Sequence, residues 1–509
     1  MILLEDLAAA VPAEGAHQIG PVAAREFEGF AYDSRNVRGG ELFVALKTER
    51  ADGHDFITDA IARGASGVLC ERVPAVVQDA LRGVTVLQVP DTRDALRRWA
   101  AGVLRHRAPV VIGVTGSVGK TLTTKAIAHV LRRVGYGAAA PDARAVFEND
   151  NLNHLLGLPI ALAGLEPAHR VAVLELASDS AGEIGALCRL AGPRDGLITN
   201  AAAAHLQHFG TPERLAEELG ALAEHVSGTL FLNRDDPLLV AQSPRTTSTV
   251  VWFGAAAGSD ARVSDVTLRP DGSAFTLHWR GAAAQVGVPL LGTPGVSAAL
   301  GAAVVALHGG AELDEVVAGL ATLPAVAGRL RPLERAGGGR LIDDSYSSSP
   351  PSLGAALEAL AMLPAPRLAV VGHVSGDLDP SQRVRLTHLL AEGVESVVAV
   401  GDVAEALVRE TAGGDSLRVA HTVDEAVAHV VEWEERSPGG SVLVKGNEAA
   451  RLERVVERLM DEPARAGDLL VRQAPGAKQV VPLHVDRAAW MEVDLGAIAG
   501  NLRRLREIA

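Results

Sequence analysis

Apolar residues along this chain recur in two patterns. Short unbroken runs, among them Val110-Val-Ile-Gly-Val114, Val171-Ala-Val-Leu-Glu175 and Gly196-Leu-Ile-Thr-Asn200, predict strands covered on both faces, because a strand with one wet face would alternate. Between them lie stretches such as Thr121–Val134, where apolar positions return every three or four residues, as in a helix with one buried face. Strand and helix in alternation predict parallel α/β sheets. The pattern restarts twice, dividing the chain in three. Residues 1–105 carry runs at Glu41–Leu46 and Thr85–Val89 and an amphipathic stretch at Phe56–Arg63, which reads as a small α/β domain. A central domain, 106–325, opens after Pro109. Pro324–Arg331 mixes Pro, Gly and Arg and reads as a hinge. Beyond it, Arg340–Asp343, Leu368–Gly372, Ser396–Val400 and Ser441–Lys445 predict a second doubly wound sheet over 326–460. Residues 461–485, with Pro463, Pro475-Gly476 and Pro482, read as a linker. Residues 486–509 read as a strand-like start and an amphipathic helix bearing Leu495, Ile498, Leu502 and Leu505.

Composition narrows the class. At 509 residues the chain is too long for one core, and 48% hydrophobic against 22% charged residues is the balance of a folded soluble protein. A net charge of -14 would repel a phosphate backbone, which disfavours a nucleic-acid binder and favours a small-molecule substrate. The two cysteines, Cys70 and Cys188, are too far apart in sequence to suggest a disulfide framework or a zinc site, and fit a reducing compartment. The opening Met1-Ile-Leu-Leu-Glu-Asp6 lacks a basic segment followed by an apolar one, and no apolar run is long enough to span a bilayer. A cytoplasmic enzyme is expected.

Candidate chemistry centres on Gly113-Val-Thr-Gly-Ser-Val-Gly-Lys120-Thr121, placed between a predicted strand and a predicted helix. Glycines there let backbone N–H groups turn onto phosphate, and the helix N-terminus adds positive potential. Lys120 would offset terminal phosphate charge, and the Thr121 hydroxyl could ligate Mg²⁺. The loop is a variant: counted from Gly116 it is shorter than the standard P-loop, and from Gly113 it is longer, with Gly119 common to both. Glu175 closes a predicted parallel strand at its carboxyl end, where such sheets bind ligands.

Thr115-Gly-Ser-Val-Gly-Lys-Thr121, Tyr32-Asp-Ser-Arg-Asn-Val37, Gly40–Leu46, Asp52-Gly-His-Asp-Phe56 and Leu341-Ile-Asp-Asp-Ser-Tyr346 followed by Pro350 together resemble the Mur ligase family, in its D-alanyl-D-alanine-adding type. The resemblance runs from about residue 28 to 460. It implies a three-domain architecture and ATP-dependent amide formation in peptidoglycan precursor synthesis. The partners it implies are a UDP-N-acetylmuramoyl-peptide and a D-amino-acid dipeptide, joined through an acyl phosphate. Carried over by position, it implies that Ser34 and Arg35 line a uridine-nucleotide pocket and that Gly116, Gly119, Lys120 and Thr121 hold ATP with Mg²⁺. It further implies that Glu175 and His205 bind metal and that Asn233, Arg329 and Asp344 contact ATP. Lys445 ends a predicted strand, a place that suits either a contact with a substrate carboxylate or a solvated lysine. Lys120, Glu175, His205 and Arg329 form the implied catalytic set.

The chain departs from the family at several of these places. Where relatives carry a carbamylated lysine after Phe209-Gly210, the matching residue is Leu219, with Glu217 and Glu218 beside it. Gly292–Ala298, Ser347-Ser-Ser349 and Lys445-Gly-Asn-Glu448 replace asparagines, a histidine and an arginine of the family's pattern. Two readings stay open on the sequence: a working ligase with altered metal or acceptor contacts, or a degenerate nucleotide-binding module. The segment Trp490-Met-Glu-Val-Asp-Leu495 with Asn501-Leu502 resembles the opening of alanine racemases, which implies a fused or partner racemase. It stops short of a racemase's cofactor lysine.

Overall fold

In the computed structural model, the described residues are 1–11, 17–48, 51–74, 81–137, 145–149, 151–202, 206–336, 338–376, 380–401, 404 and 417–471. Residues 472–509, with the racemase-like segment, and His205 lie outside them.

Each unbroken apolar run named above forms a strand, and the strands assemble into three main sheets. The first has five strands in the order His17–Ile19, Thr85–Gln88, Gly67–Cys70, Leu42–Val44, Phe30–Ala31, parallel except for the outer His17–Ile19. The second has nine strands. At its centre Val110–Thr115 lies between Val171–Glu175 and Asp195–Ile198, parallel to both. Strand order therefore reverses at Val110–Thr115, and the crevice outside its carboxyl end is where a doubly wound sheet takes a ligand. The third sheet has six strands, with Arg340–Asp344, Ser441–Lys445 and Arg367–Val371 parallel at its centre.

Beyond Asn233 the second sheet continues through Thr249–Gly254 and then turns antiparallel over Ala261–Arg269, Gly272–Trp279 and Ala282–Val288. These strands cover Gly292–His308, a helix buried nearly all round that also packs on Lys120–Val134. Its even spread of apolar residues follows from that position.

The first two sheets share one core. Leu96, Trp99 and Val103 of helix Thr92–Arg107 belong to the same apolar cluster as Leu158, Leu162 and Leu187 of the central domain. The third domain keeps its own apolar layers on the two faces of its sheet, into one of which Leu291 and Leu330 insert. Ala466 and Leu470, in the stretch read from the sequence as linker, are buried in the other layer. The Arg331 guanidinium donates to Leu469 O at 2.7 Å and fastens that segment to the first strand of the third sheet.

Candidate active site

Gly113 turns out to be a strand residue: a Cβ there would press on Leu176 and Leu222 at 3.1 and 3.2 Å. The phosphate loop proper starts at Gly116, whose φ is +140° and whose Cβ would fall 2.0 Å from Thr199 Oγ1, so only glycine fits. Gly119, at φ +86°, caps helix Lys120–Val134. The loop is stitched to the end of the neighbouring strand. Ser117 N donates to Asn200 O at 2.9 Å, Val118 N donates to Asn200 Oδ1 at 3.2 Å, and Thr199 Oγ1 and Asn200 Nδ2 each donate to Val118 O at 2.8 Å. Lys120 curls back over the loop, its Nζ donating to Gly116 O at 2.8 Å. Burial holds its ammonium below the usual lysine range, with the charge of Glu175 working the other way.

Glu175 is 2% exposed and locked from both ends. Asn149 brackets its backbone, Oδ1 accepting from Glu175 N at 2.7 Å and Nδ2 donating to Glu175 O at 3.1 Å. Asn153 Nδ2 donates to Glu175 Oε1 at 2.6 Å. Oε2 is buried with no hydrogen-bond partner among the described residues. A buried carboxylate oxygen left open beside a P-loop threonine suits a hard divalent cation, which takes oxygen ligands. Thr121 and Glu175 therefore fit Mg²⁺, although no group of three or more His, Cys, Asp or Glu side chains among the described residues has metal-binding geometry by itself.

Neither glutamate beside Leu219 supplies a further metal ligand. Leu219 is 3% exposed and belongs to the shared core, and Glu217 is exposed on another face. Glu218 points toward the start of helix Glu183–Ala191, where it accepts from Gly182 N at 2.6 Å, Ile184 N at 2.8 Å and Ser178 Oγ at 3.0 Å. It caps a helix.

The third domain closes the cleft from the other side. The Arg329 guanidinium lies over the Tyr346 ring, 4.6 Å from its centroid, donates to Ser347 Oγ, and reaches across the domain boundary to Thr121 Oγ1 at 3.3 Å. Its approach is set by the hinge: Gly328 N donates to Asp343 Oδ2 at 2.9 Å and Leu330 N to Asp344 Oδ1 at 3.2 Å. Burial pushes the Asp343 carboxyl up, against the hydrogen bonds from Ser345 and Gly328. Asp344 and Lys445 stand at matching register on adjacent parallel strands, so their side chains share a face and pair at 2.7 Å. Lys445 also donates to Ser347 O at 2.7 Å, and burial holds its pKa below the ordinary lysine value. The result is a cleft of about 520 Å³ that gathers Gly119, Lys120, Thr121, Glu175, Arg329, Asp344 and Lys445.

Three residues singled out from the sequence stand elsewhere. Asn233 does not line this cleft: its Nδ2 donates to Thr199 O at 3.0 Å, steadying the strand end that holds the phosphate loop. Ser34 is buried in the first domain and Arg35 is paired with Asp33 at 2.6 Å. Sequence reasoning in turn passed over Asn149, Asn153, His154 and Asn200. The only local sign of the first three is the run Asn149-Asp-Asn-Leu-Asn-His154, too polar for the helix that follows it.

Comparison with known proteins shows the family. Three family models match in chain order: "Mur ligase family, catalytic domain" over residues 26–103, "Mur ligase middle domain" over 114–306 and "Mur ligase, glutamate ligase domain" over 328–448. UDP-N-acetylmuramoyl-tripeptide–D-alanyl-D-alanine ligase of Escherichia coli (strain K12) is 32% identical over 436 residues, covering 84% of this chain and 93% of that one. Among solved structures, MurF from Acinetobacter baumannii superposes with a TM-score of 0.75 at 27% identity, over 90% of this chain and 98% of that one. MurF ligase from Thermotoga maritima in complex with ADP gives a TM-score of 0.69 at 26% identity, over 86% and 98%. Matched along most of the length of such ligases in both sequence and shape, the chain belongs to the Mur ligase family and is an ATP-dependent ligase of its MurF type.

Proposed function

We propose that the chain joins D-alanyl-D-alanine to a UDP-N-acetylmuramoyl-tripeptide, at the expense of ATP, in peptidoglycan precursor synthesis in the cytoplasm. The observation that carries this reading is the convergence of Lys120, Thr121 and Glu175 with Arg329, which comes from another domain, on one cleft. Phosphoryl transfer asks mainly for positioning and charge neutralisation, and these residues supply both. The γ-phosphoryl group passes to the substrate's terminal carboxylate while Lys120 and Arg329 balance its charge. The acyl phosphate so formed is attacked by the acceptor amine, and phosphate leaves. Mg²⁺, when bound at Thr121 and Glu175 with His205, would neutralise phosphate oxygens. In this reading Ser34 and Arg35 take the uridine nucleotide, Asn233 and Asp344 serve the ATP site, and Lys445, released from Asp344, meets a substrate carboxylate. A racemase partner rests on Trp490–Leu495 with Asn501-Leu502 and is tested by co-purification with alanine racemase.

The ligase reading is tested by phosphate release and product formation from ATP, UDP-N-acetylmuramoyl-tripeptide and D-alanyl-D-alanine. Turnover by the wild type, with a loss of roughly 10²–10³-fold in Lys120→Ala, is expected. Absence of product from the wild type with all three substrates overturns the reading.

A further inference from the structure

His154 lines the same cleft, and no step above uses it. It follows Asn153 in the loop before the short helix Gly157–Ala161. Its Nδ1 lies 3.1 Å from Glu183 Oε1, while Nε2 stands 3.7 Å from Asp179 Oδ2, outside hydrogen-bonding range. Glu183 is itself fixed, its Oε2 accepting from Asp179 N at 3.1 Å. A carboxylate that accepts from Nδ1–H selects the tautomer with its lone pair on Nε2. That nitrogen is on the side of Asp179, which also lines the cleft.

Amide formation makes a demand that Lys120, Thr121 and Arg329 do not meet. An α-amino group has a pKa near 8, so the acceptor arrives largely as an ammonium ion, which has no lone pair with which to attack. We propose that His154, oriented by Glu183, takes a proton from the acceptor's ammonium group on its Nε2. The inference rests on the ligase reading given above. The step balances: one proton passes from R–NH₃⁺ to His154, the freed lone pair forms the C–N bond, and the C–O bond to phosphate breaks. The second N–H proton leaves with phosphate as HPO₄²⁻.

The charged groups that act on the imidazole are Glu183 at Nδ1, Asp179 toward Nε2, and Lys120. Burial and Lys120 work against the imidazolium. The hydrogen bond to Glu183 and the charges of Asp179 and Glu183 outweigh them, and the pKa is raised from the usual imidazole value. A base poised closer to neutrality is the effective one, and carboxylates beside it favour an incoming cation.

Hydroxylamine, neutral at pH 7, needs no such base and traps the acyl phosphate as a hydroxamate. In His154→Asn, peptide formation is expected to fall about 10²-fold or more while hydroxamate formation falls less than about tenfold. Glu183→Gln is expected to move the acid limb of the kcat profile to lower pH, since the carboxylate that raises the imidazole pKa is gone. Equal slowing with both nucleophiles, or an acid limb unmoved in both variants, overturns the assignment. Wild-type protein that yields neither hydroxamate nor peptide overturns the ligase reading instead.

Discussion

Glu175 owes its place in the cleft to two asparagines that come from a different loop. Asn153→Ala leaves Oε1 of a carboxylate that is 2% exposed without its donor, and a buried acceptor so abandoned costs about 1–3 kcal/mol. A urea midpoint unchanged in that variant would contradict the assignment, whereas partial recovery on adding Mg²⁺ is expected because the cation supplies the missing partner. A pH effect belongs at Asp52. Burial alone would raise its carboxyl, but Arg72 at 2.9 Å and the backbone and ring of His54 outweigh it and hold the pKa well below the aspartate range. A depressed folded value gives stability that is present above the unfolded pKa, near 4, and lost as pH falls through the folded one. Asp52→Asn should therefore lower the denaturation midpoint at pH 7, and the difference from wild type should shrink steadily below about pH 4. At this scale the sequence was legible where a residue acts through its own motif, as Lys120, Thr121 and Arg329 do. Asn149, Asn153 and Asn200 act on chain segments that only folding brings near, and the polar run Asn149–His154 does not say what its asparagines hold.

Among the elements, the parallel strands were easy to read because a strand buried on both faces leaves an unbroken apolar run, and Val110–Thr115 and Ser441–Lys445 are two of them. The antiparallel strands Ala261–Arg269, Gly272–Trp279 and Ala282–Val288 went unread, since the outer two carry exposed positions and the runs of all three are diluted by Gly, Ser, Thr or Gln. Their turns were the better signal. Arg280 at φ +47° and Gly281 at φ +87° form a two-residue hairpin turn with both residues left-handed. Gly281→Ala is expected to cost about 1–2 kcal/mol, read from the denaturation midpoint. ATP turnover at saturation should be nearly unchanged, because the hairpin lies at the sheet edge far along from the phosphate loop. Gly116→Ala should do the reverse: its Cβ would collide with Thr199 Oγ1, and nucleotide binding is expected to fail even where the fold survives, as isothermal titration would show.

Across the whole molecule the two domain boundaries differ in kind. The first and second domains share an apolar core through helix Thr92–Arg107, and a boundary of that sort does not slide. The second and third meet across a polar cleft, held by Arg329 on Thr121 and by Leu291 in the third domain's core. Motion should therefore be confined to the third domain, about the hinge at Gly328. Trypsin is expected to cut after Arg329 in the free protein, since the Arg331–Pro332 bond resists it, and to cut more slowly with an ATP analogue present. Equal rates in the two conditions would argue against closure. The shared core also carries a consequence for the order of synthesis. Helix Thr92–Arg107 leaves the ribosome well before helices Gly157–Ala161 and Glu183–Ala191, on which it packs. At ordinary translation rates its apolar face waits on the order of ten seconds for a partner. The nascent first domain is thus the stage at which this chain most needs a chaperone, and a fragment ending near Arg107 should aggregate where one ending near the hinge stays soluble.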